Sequence, residues 1–321
     1  MSTEGGTRAI VAALAANLGI AATKLVAWGL TRSSSMLAEA IHSVADSGNQ
    51  VLLLIGGKRA EREATEEHPF GYGRSRYLYA FIVSVVLFSV GGLFALYEAY
   101  HKWTDAHGIE SWQWVPVTVL LVAVAMESYS FRTAIHESNK VRGDRSWVSF
   151  VRQAKSPELP VILLEDLAAL IGLVFALFGV VMTLVTDDGR WDALGTALIG
   201  VLLVCVAAVL ALETSSLLLG EGANRDDVRL IRESLVGAGV ERVIHLRTMY
   251  VGPDELLVAA KIAVPRTESA ADVSEAIDAA EKRVRNAVPT AKIIFLEPDI
   301  DRGAPAAGAQ EPLTAPPPTR G

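Results

Sequence analysis

Apolar runs of about twenty residues, each interrupted by a few polar ones, recur along the chain as far as Gly220. They fall near Ile10 to Leu30, Ser35 to Gly56, Tyr77 to Tyr100, Trp112 to Thr133, Leu159 to Val185 and Trp191 to Leu218. Each is long enough to cross a hydrocarbon core of about 30 Å as a helix, so the pattern predicts six transmembrane helices. After Gly220 the pattern shortens. Asn224 is placed to cap a helix whose apolar face carries Val228, Ile231 and Leu235. Glu241 to Val251 and Glu255 to Val264 read as strands around Gly252-Pro253-Asp254. A second amphipathic helix is expected over Ser269 to Ala287, then a third strand over Ala291 to Leu296. The expected architecture is a mainly α membrane domain of six transmembrane helices over 1–220, a small α+β (αββαβ) cytoplasmic domain over 221–300, and a disordered Pro/Ala-rich tail over 301–321.

The polar interruptions carry the candidate chemistry. The second span, SMLAEAIHSVADSGNQVLLLI, contains Glu39, His42, Asp46, Asn49 and Gln50. An ionisable group near a bilayer centre costs about 2.5 kcal/mol or more, so such groups face a bundle interior and mark function. His42 and Asp46 are four residues apart and share one helix face. An imidazole and a carboxylate converging in this way suit a divalent metal or a proton; the alternative is a stripe that hydrogen-bonds neighbouring helices. Asn17 and Lys24 in the first span are seven apart and lie on about the same face; Asn17 is expected to face the bundle and Lys24 to snorkel outward. Glu127 in the fourth span and Asp166 in the fifth share a depth. Glu165 and Asp166 are adjacent and diverge by about 100°, and spacing alone leaves open which of them faces a site. Ala168, Ala169, Gly172, Ala176 and Gly179 form a small-residue stripe that permits close helix packing. In the connections, His68 in EHPFGYGRSRY reads as a solvated loop histidine, and RSWVSFVRQAK as a short amphipathic helix at the inner membrane surface.

Lysine and arginine set the orientation. The connections after the second and fourth spans carry Lys58, Arg59, Arg62, Arg74 and Arg76, and Lys140, Arg142, Arg145, Arg152 and Lys155. The opposite connections carry only Arg32, Lys102 and Arg190, so both termini are expected in the cytoplasm. Trp103, Trp112, Trp114 and Trp191 belong to the outer interface.

Composition narrows the function. The chain is 51% hydrophobic with a net charge of −7 and no basic tract, which argues against nucleic acid as a partner. One cysteine, Cys205, excludes an intramolecular disulfide framework and thiolate-rich metal sites. No GxxxxGK[ST] motif is present, which argues against an ATP-driven pump, and no nucleophile–base pairing points to an enzyme. Neither a cleavable signal nor an Arg/Ser-rich transit peptide is evident, so an integral protein of a bacterial plasma membrane is expected.

Six spans, His-x-x-x-Asp in the second, an acidic fifth and an αββαβ domain together resemble the cation diffusion facilitator transporters. AEAIHSVADSGNQ, HPFGYGRSRY and VILLEDLAALIG are similar to the branch that contains a mitochondrial zinc transporter. The resemblance covers about Ile10 to Asp299. It implies a homodimer in the lipid bilayer that exports Zn²⁺ by proton-coupled antiport, with no prosthetic group. The implied ligands are His42, Asp46 and Asp166. A further ligand would fall on Ile162, which cannot bind metal, so Glu165, Glu127, Asn17 or water is left to complete the set, Glu165 first. One histidine with carboxylates suits Zn²⁺ foremost, then Mn²⁺ or Fe²⁺. His245 matches a family position able to bind metal, but its histidine partners are absent and a solvated strand histidine is expected. The rival reading is a membrane-anchored scaffold whose polar faces serve only packing.

Overall fold

The structure, a computed structural model, describes residues 3–31, 34–105 and 114–300, excepting the side chains of 3–9, 30, 31, 34–39 and 42. The chain divides into two compact units. One is built on residues up to Glu221 with Tyr250–Asp254, the other on Gly222–Met249 and from Glu255 onward.

The first unit is a closed ring of long helices. These are α1 (Thr3–Thr31), α2 (Ser34–Ala60), α3 (Ser75–Val86) running through a π-helical turn (Leu87–Leu93) into α4 (Phe94–Thr104), α5 (Trp114–Arg142), α7 (Glu158–Thr186) and α8 (Arg190–Leu219). Around the ring, α1 packs on α2 and α5, α5 on α7, α7 on α8, α8 on α3 and α4, and α3 back on α2. α7 also touches α1 across the interior. Among the described residues, five stretches are long and apolar enough to cross a membrane: those over 10–29, 75–104, 114–142, 158–186 and 190–219. α2 has 27 residues, and the side chains of 34–39 and 42 in it lie outside the described residues. It is the sixth long helix, held between α1 and α3.

A seven-residue repeat shows how a helix of this ring is oriented. Ile10, Asn17 and Lys24 are buried, whereas Val11, Leu18 and Leu25, one position on, are exposed. Seven residues are close to two turns, so each set forms a single stripe. The apolar stripe faces outward and the polar one faces inward. At the other side of the ring the small-residue stripe does what its composition allows. A Cβ on Gly179 would come within 2.9 Å of the Trp191 carbonyl oxygen, and one on Gly195 within 2.8 Å of that of Phe175. Only the absence of side chains lets α7 and α8 approach this closely. Asp187, with φ of 53°, turns the chain from one to the other.

Two ion pairs, one buried and one half-buried, fasten the ends of the ring. Arg76 Nε lies 3.2 Å from Glu158 Oε1, linking α3 to α7. Lys102 Nζ lies 3.1 Å from Asp192 and donates to Thr196 Oγ1 at 3.2 Å, linking α4 to α8. The expected amphipathic helix is α6 (Trp147–Gln153), capped by Ser146, with Phe150 buried and Val148 exposed.

The second unit follows the order αββαβ: α9 (Arg225–Leu235), β1 (Arg242–Gly252), β2 (Glu255–Val264), α10 (Ala270–Ala287) and β3 (Ile293–Ile300). The sheet order is β1-β2-β3, with β3 parallel to β2 in the register Val258 to Ile294. Both helices start at residues with capping side chains. Asn224 Oδ1 accepts from the Asp227 N–H, and Ser269 with Asp272 forms a reciprocal capping box. α10 returns the favour at the far end of α9, where Arg283 donates to the Ser234 and Leu235 carbonyls. β3 begins two residues later than expected and runs on to Ile300, because pairing with β2 continues to Val264. The tail expected over 301–321 lies outside the described residues.

Candidate metal centre

The inner face of α2 organises the interior of the ring. A helix turns about 100° per residue, so Ser43, Asp46, Ser47, Asn49 and Gln50 form one broad face, and all are buried. Three neighbours supply the groups opposite: α1 gives Asn17 and Lys24, α5 gives Glu127 and Ser130, and α7 gives Glu165 and Asp166.

Glu165 is the most fully engaged. Asn49 Nδ2 donates to its Oε1 at 2.6 Å and Gln50 Nε2 to its Oε2 at 3.2 Å. Asn17 Nδ2 in turn donates to Gln50 Oε1 at 3.3 Å, so a chain of amides joins α1, α2 and α7 through this one carboxylate. Asp166, one step round the helix, accepts from Ser130 Oγ at 2.8 Å. The two adjacent acids are therefore split: Glu165 is tied to α2 and Asp166 to α5. Both remain within electrostatic reach of Asp46, and Glu127 acts on Glu165 as well. One turn before Asp166, Ile162 is fully buried, so an aliphatic side chain stands where the resemblance would put a ligand.

Asp46 and Glu127 line a common cavity of about 20 Å³, with Lys24, Ser43, Ala168, Ala169, Gly172, Leu173, Ile199 and Leu203. That volume holds about one water molecule. The small residues of α7 leave this space open beside the two carboxylates. Among the described residues, no group of three His, Cys, Asp or Glu side chains is arranged to hold a metal ion. The His42 side chain, expected as a ligand, lies outside the described residues; its backbone is helical, one turn before Asp46. The Glu39 side chain also lies outside them.

One expectation is overturned. Lys24 does not snorkel outward: it is 3% exposed and donates to Ser43 Oγ at 2.9 Å. The signal was present in its spacing of seven from Asn17, since an inward Asn17 takes Lys24 inward with it. Ser130, Asn49 and Gln50 are the partners that sequence reasoning did not assign. Nothing marks a serine as the partner of a carboxylate on another helix until the two helices pack.

The other candidates lie apart from this centre. His68 is exposed and stacks on Tyr72, with ring centroids 4.5 Å apart. His245 is on β1, where its Nε2 accepts from Arg247 Nε at 2.8 Å. Cys205 is exposed on α8, on the side of the ring that also shows Val201 and Val209.

Comparison with known proteins bears on the same helices. Residues 10–219 match the cation efflux transmembrane domain. A protein of Xenopus laevis named proton-coupled zinc antiporter SLC30A9, mitochondrial, is 32% identical over 248 residues, covering 76% of this chain and 44% of that protein. The human protein of the same name is 31% identical, over 69% of this chain and 39% of its own length. An uncharacterized transporter of Methanocaldococcus jannaschii is 22% identical over 91% of this chain and 97% of its own. The chain thus spans less than half the length of the two vertebrate relatives. With the match running from the start of the inward stripe of α1 to the end of α8, the chain belongs to the cation efflux, or cation diffusion facilitator, family of integral membrane proteins.

Proposed function

We propose that this protein is a secondary transporter that exports a divalent metal ion from the cytoplasm, Zn²⁺ foremost, in exchange for protons. The observation that carries the reading is the burial of four acids, Asp46, Glu127, Glu165 and Asp166, on three helices of one ring. Buried acids in apolar surroundings are costly, and a cation as cargo is what such a cluster serves. His42, Asp46 and Asp166 are the proposed ligands, with metal replacing the Ser130 hydroxyl at Asp166. Glu127 supports a fourth donor, because it shares the cavity with Asp46. Glu165 has both oxygens occupied by amides and serves better to hold α2 against α7, though it stays a candidate ligand if those amides turn away. Asn17 acts through Gln50 in the same support.

Metal binding requires neutral imidazole and ionised carboxylates, so the ion expels whatever protons these groups hold. Alternating occupancy by metal and protons at one site is the proposed coupling. The name of the vertebrate relatives, proton-coupled zinc antiporter, supports it by analogy. Mn²⁺ or Fe²⁺ is a second cargo, favoured by one observation: buried Ile162 leaves the donor set rich in oxygen. We further propose a homodimer, a domain boundary near Gly220, and termini on the cytoplasmic side of a bacterial plasma membrane. The basic connections support that orientation. Membership of a transporter family sets the reading against an enzyme.

The test is flux of Zn²⁺, Mn²⁺ and Fe²⁺ into proteoliposomes. Wild type is expected to carry at least one of them, with an acceleration by a proton gradient that a protonophore removes, and Asp46→Ala is expected to carry none. Flux of the same size in wild type and Asp46→Ala would leave the scaffold reading standing.

A further inference from the structure

Among the described residues, Lys24 is the one basic side chain lining the cavity that holds Asp46 and Glu127. It arrives there by the repeat that carries Ile10 and Asn17 inward, and its ammonium is anchored by Ser43. Ser43 lies three residues before Asp46 and so on the same face of α2. A lysine buried to this degree is not retained for solubility, and a methionine of similar length would pack an apolar interior at lower cost. Its charge has a use only in relation to the acids that surround it.

We propose that Lys24 is an internal counter-charge of the transport site: it offsets part of the charge of Asp46 and Glu127 when no metal is bound and opposes the arriving divalent ion, so that the ion is held loosely enough to leave. The inference rests on the transport reading and adds to it a residue that sets affinity without being a ligand. The physics is elementary. A fixed unit charge a few ångströms from a divalent cation repels it, and burial screens that repulsion far less than water would. A site made only of acids would bind tightly and release slowly. Conduction requires binding strong enough to load and weak enough to unload. The same ammonium offsets part of the negative charge of the metal-free bundle, so it also stabilises the empty state through which the transporter must return.

The test is direct Zn²⁺ binding to the full chain purified in detergent, measured by titration calorimetry, alongside flux in proteoliposomes. Lys24→Gln keeps a hydrogen-bond donor on the side chain and removes the charge; Lys24→Met removes both. Both variants are expected to bind Zn²⁺ about ten- to a hundredfold more tightly than wild type, and to turn over more slowly at saturating metal. Ser43→Ala, which keeps the charge and removes the hydrogen bond, is expected to stay within about threefold of wild-type affinity. A structural role alone would instead lower the thermal midpoint of all three variants and leave the Zn²⁺ affinity in place, and that result would overturn the proposal. Should one lysine variant fail to fold, the other carries the measurement. Saturable binding and flux in wild type with unchanged affinity in the lysine variants defeats the role of Lys24 alone. Absence of both in wild type defeats the transport reading beneath it.

Discussion

The ring of helices and the αββαβ unit both bury an apolar core, but among the described residues only the ring also buries charge. In the second unit the interior is apolar: Ile231, Leu235, Leu256, Val258, Ile262, Ala280 and Val284 are buried, and charge lies outside, as in the pairs of Lys261 with Glu297 and Asp299. In the ring, aliphatic side chains such as Leu18, Val26, Val174 and Leu212 face outward, while amides, acids and a lysine are inside. Among the described residues, every buried polar or charged side chain lies at or before Thr214. The contrast shows which solvent each unit is built for. Water rewards hiding apolar groups, and lipid gives no such reward, so polar groups can collect inside a membrane bundle where they find one another. A collection of this kind is costly in water and is where a membrane protein keeps its function.

The comparison is tested most severely at Asp166. Asp166→Asn keeps the shape and can still hydrogen-bond Ser130, but removes a charge from the proposed metal centre. Metal flux is expected to fall by about two orders of magnitude or more, as for loss of a metal ligand, while size-exclusion elution of the detergent-solubilised protein stays that of wild type. Undiminished flux in Asp166→Asn would reduce the interior polarity to packing.

A smaller effect separates support from ligation at Glu165. Glu165→Leu strands the Asn49 and Gln50 amides, each a buried donor worth about 1–3 kcal/mol when left unpaired. Glu165→Gln keeps one acceptor oxygen. The thermal midpoint in detergent is expected to fall clearly in Glu165→Leu and less in Glu165→Gln, with residual transport in the latter. Complete loss of transport in Glu165→Gln with an unchanged midpoint would make Glu165 a ligand instead.

The smallest effect belongs to the second unit, where charge is a surface matter. Hydrogen bonds from the Ser269 hydroxyl and then from its backbone N–H hold the Asp272 carboxyl below the usual aspartate range. A depressed folded value means that the ionised capping box adds stability above the unfolded-state value of about 3.9. That stability is lost as pH falls through the folded value. Amide-exchange protection of α10, corrected for intrinsic rates, should therefore weaken on acidification below about pH 4, and Ser269→Ala should remove that dependence. The same acid sensitivity in wild type and Ser269→Ala would show that the box contributes nothing.

Much of this arrangement was legible along the chain, and the reason is range. Asn224 and Ser269 cap their helices through residues three positions away, and the turn at Pro253-Asp254 sets β1 against β2 locally. A span is recognised by length and hydropathy, which are additive properties of a segment. The partner of the polar face of α2 is not an additive property: Asn49 finds Glu165 on α7.

By itself, the sequence determined which residues share a face: His42 with Asp46, Asn17 with Lys24, Glu165 turned away from Asp166. Helical periodicity is enough for that, because it relates side chains on one rigid rod. It says nothing of how that rod is rotated against another. Only tertiary structure decided that Glu165 meets Asn49 and Gln50 across a separation of more than a hundred residues, that Asp166 takes Ser130, and that Lys24 enters the cavity of Asp46 and Glu127. Each is a contact between rods, and its register comes from the sum of many packing contacts around the ring, here including the close approach of α7 and α8 at Gly179 and Gly195. A side chain's partner is settled by that sum, which no stretch of sequence contains.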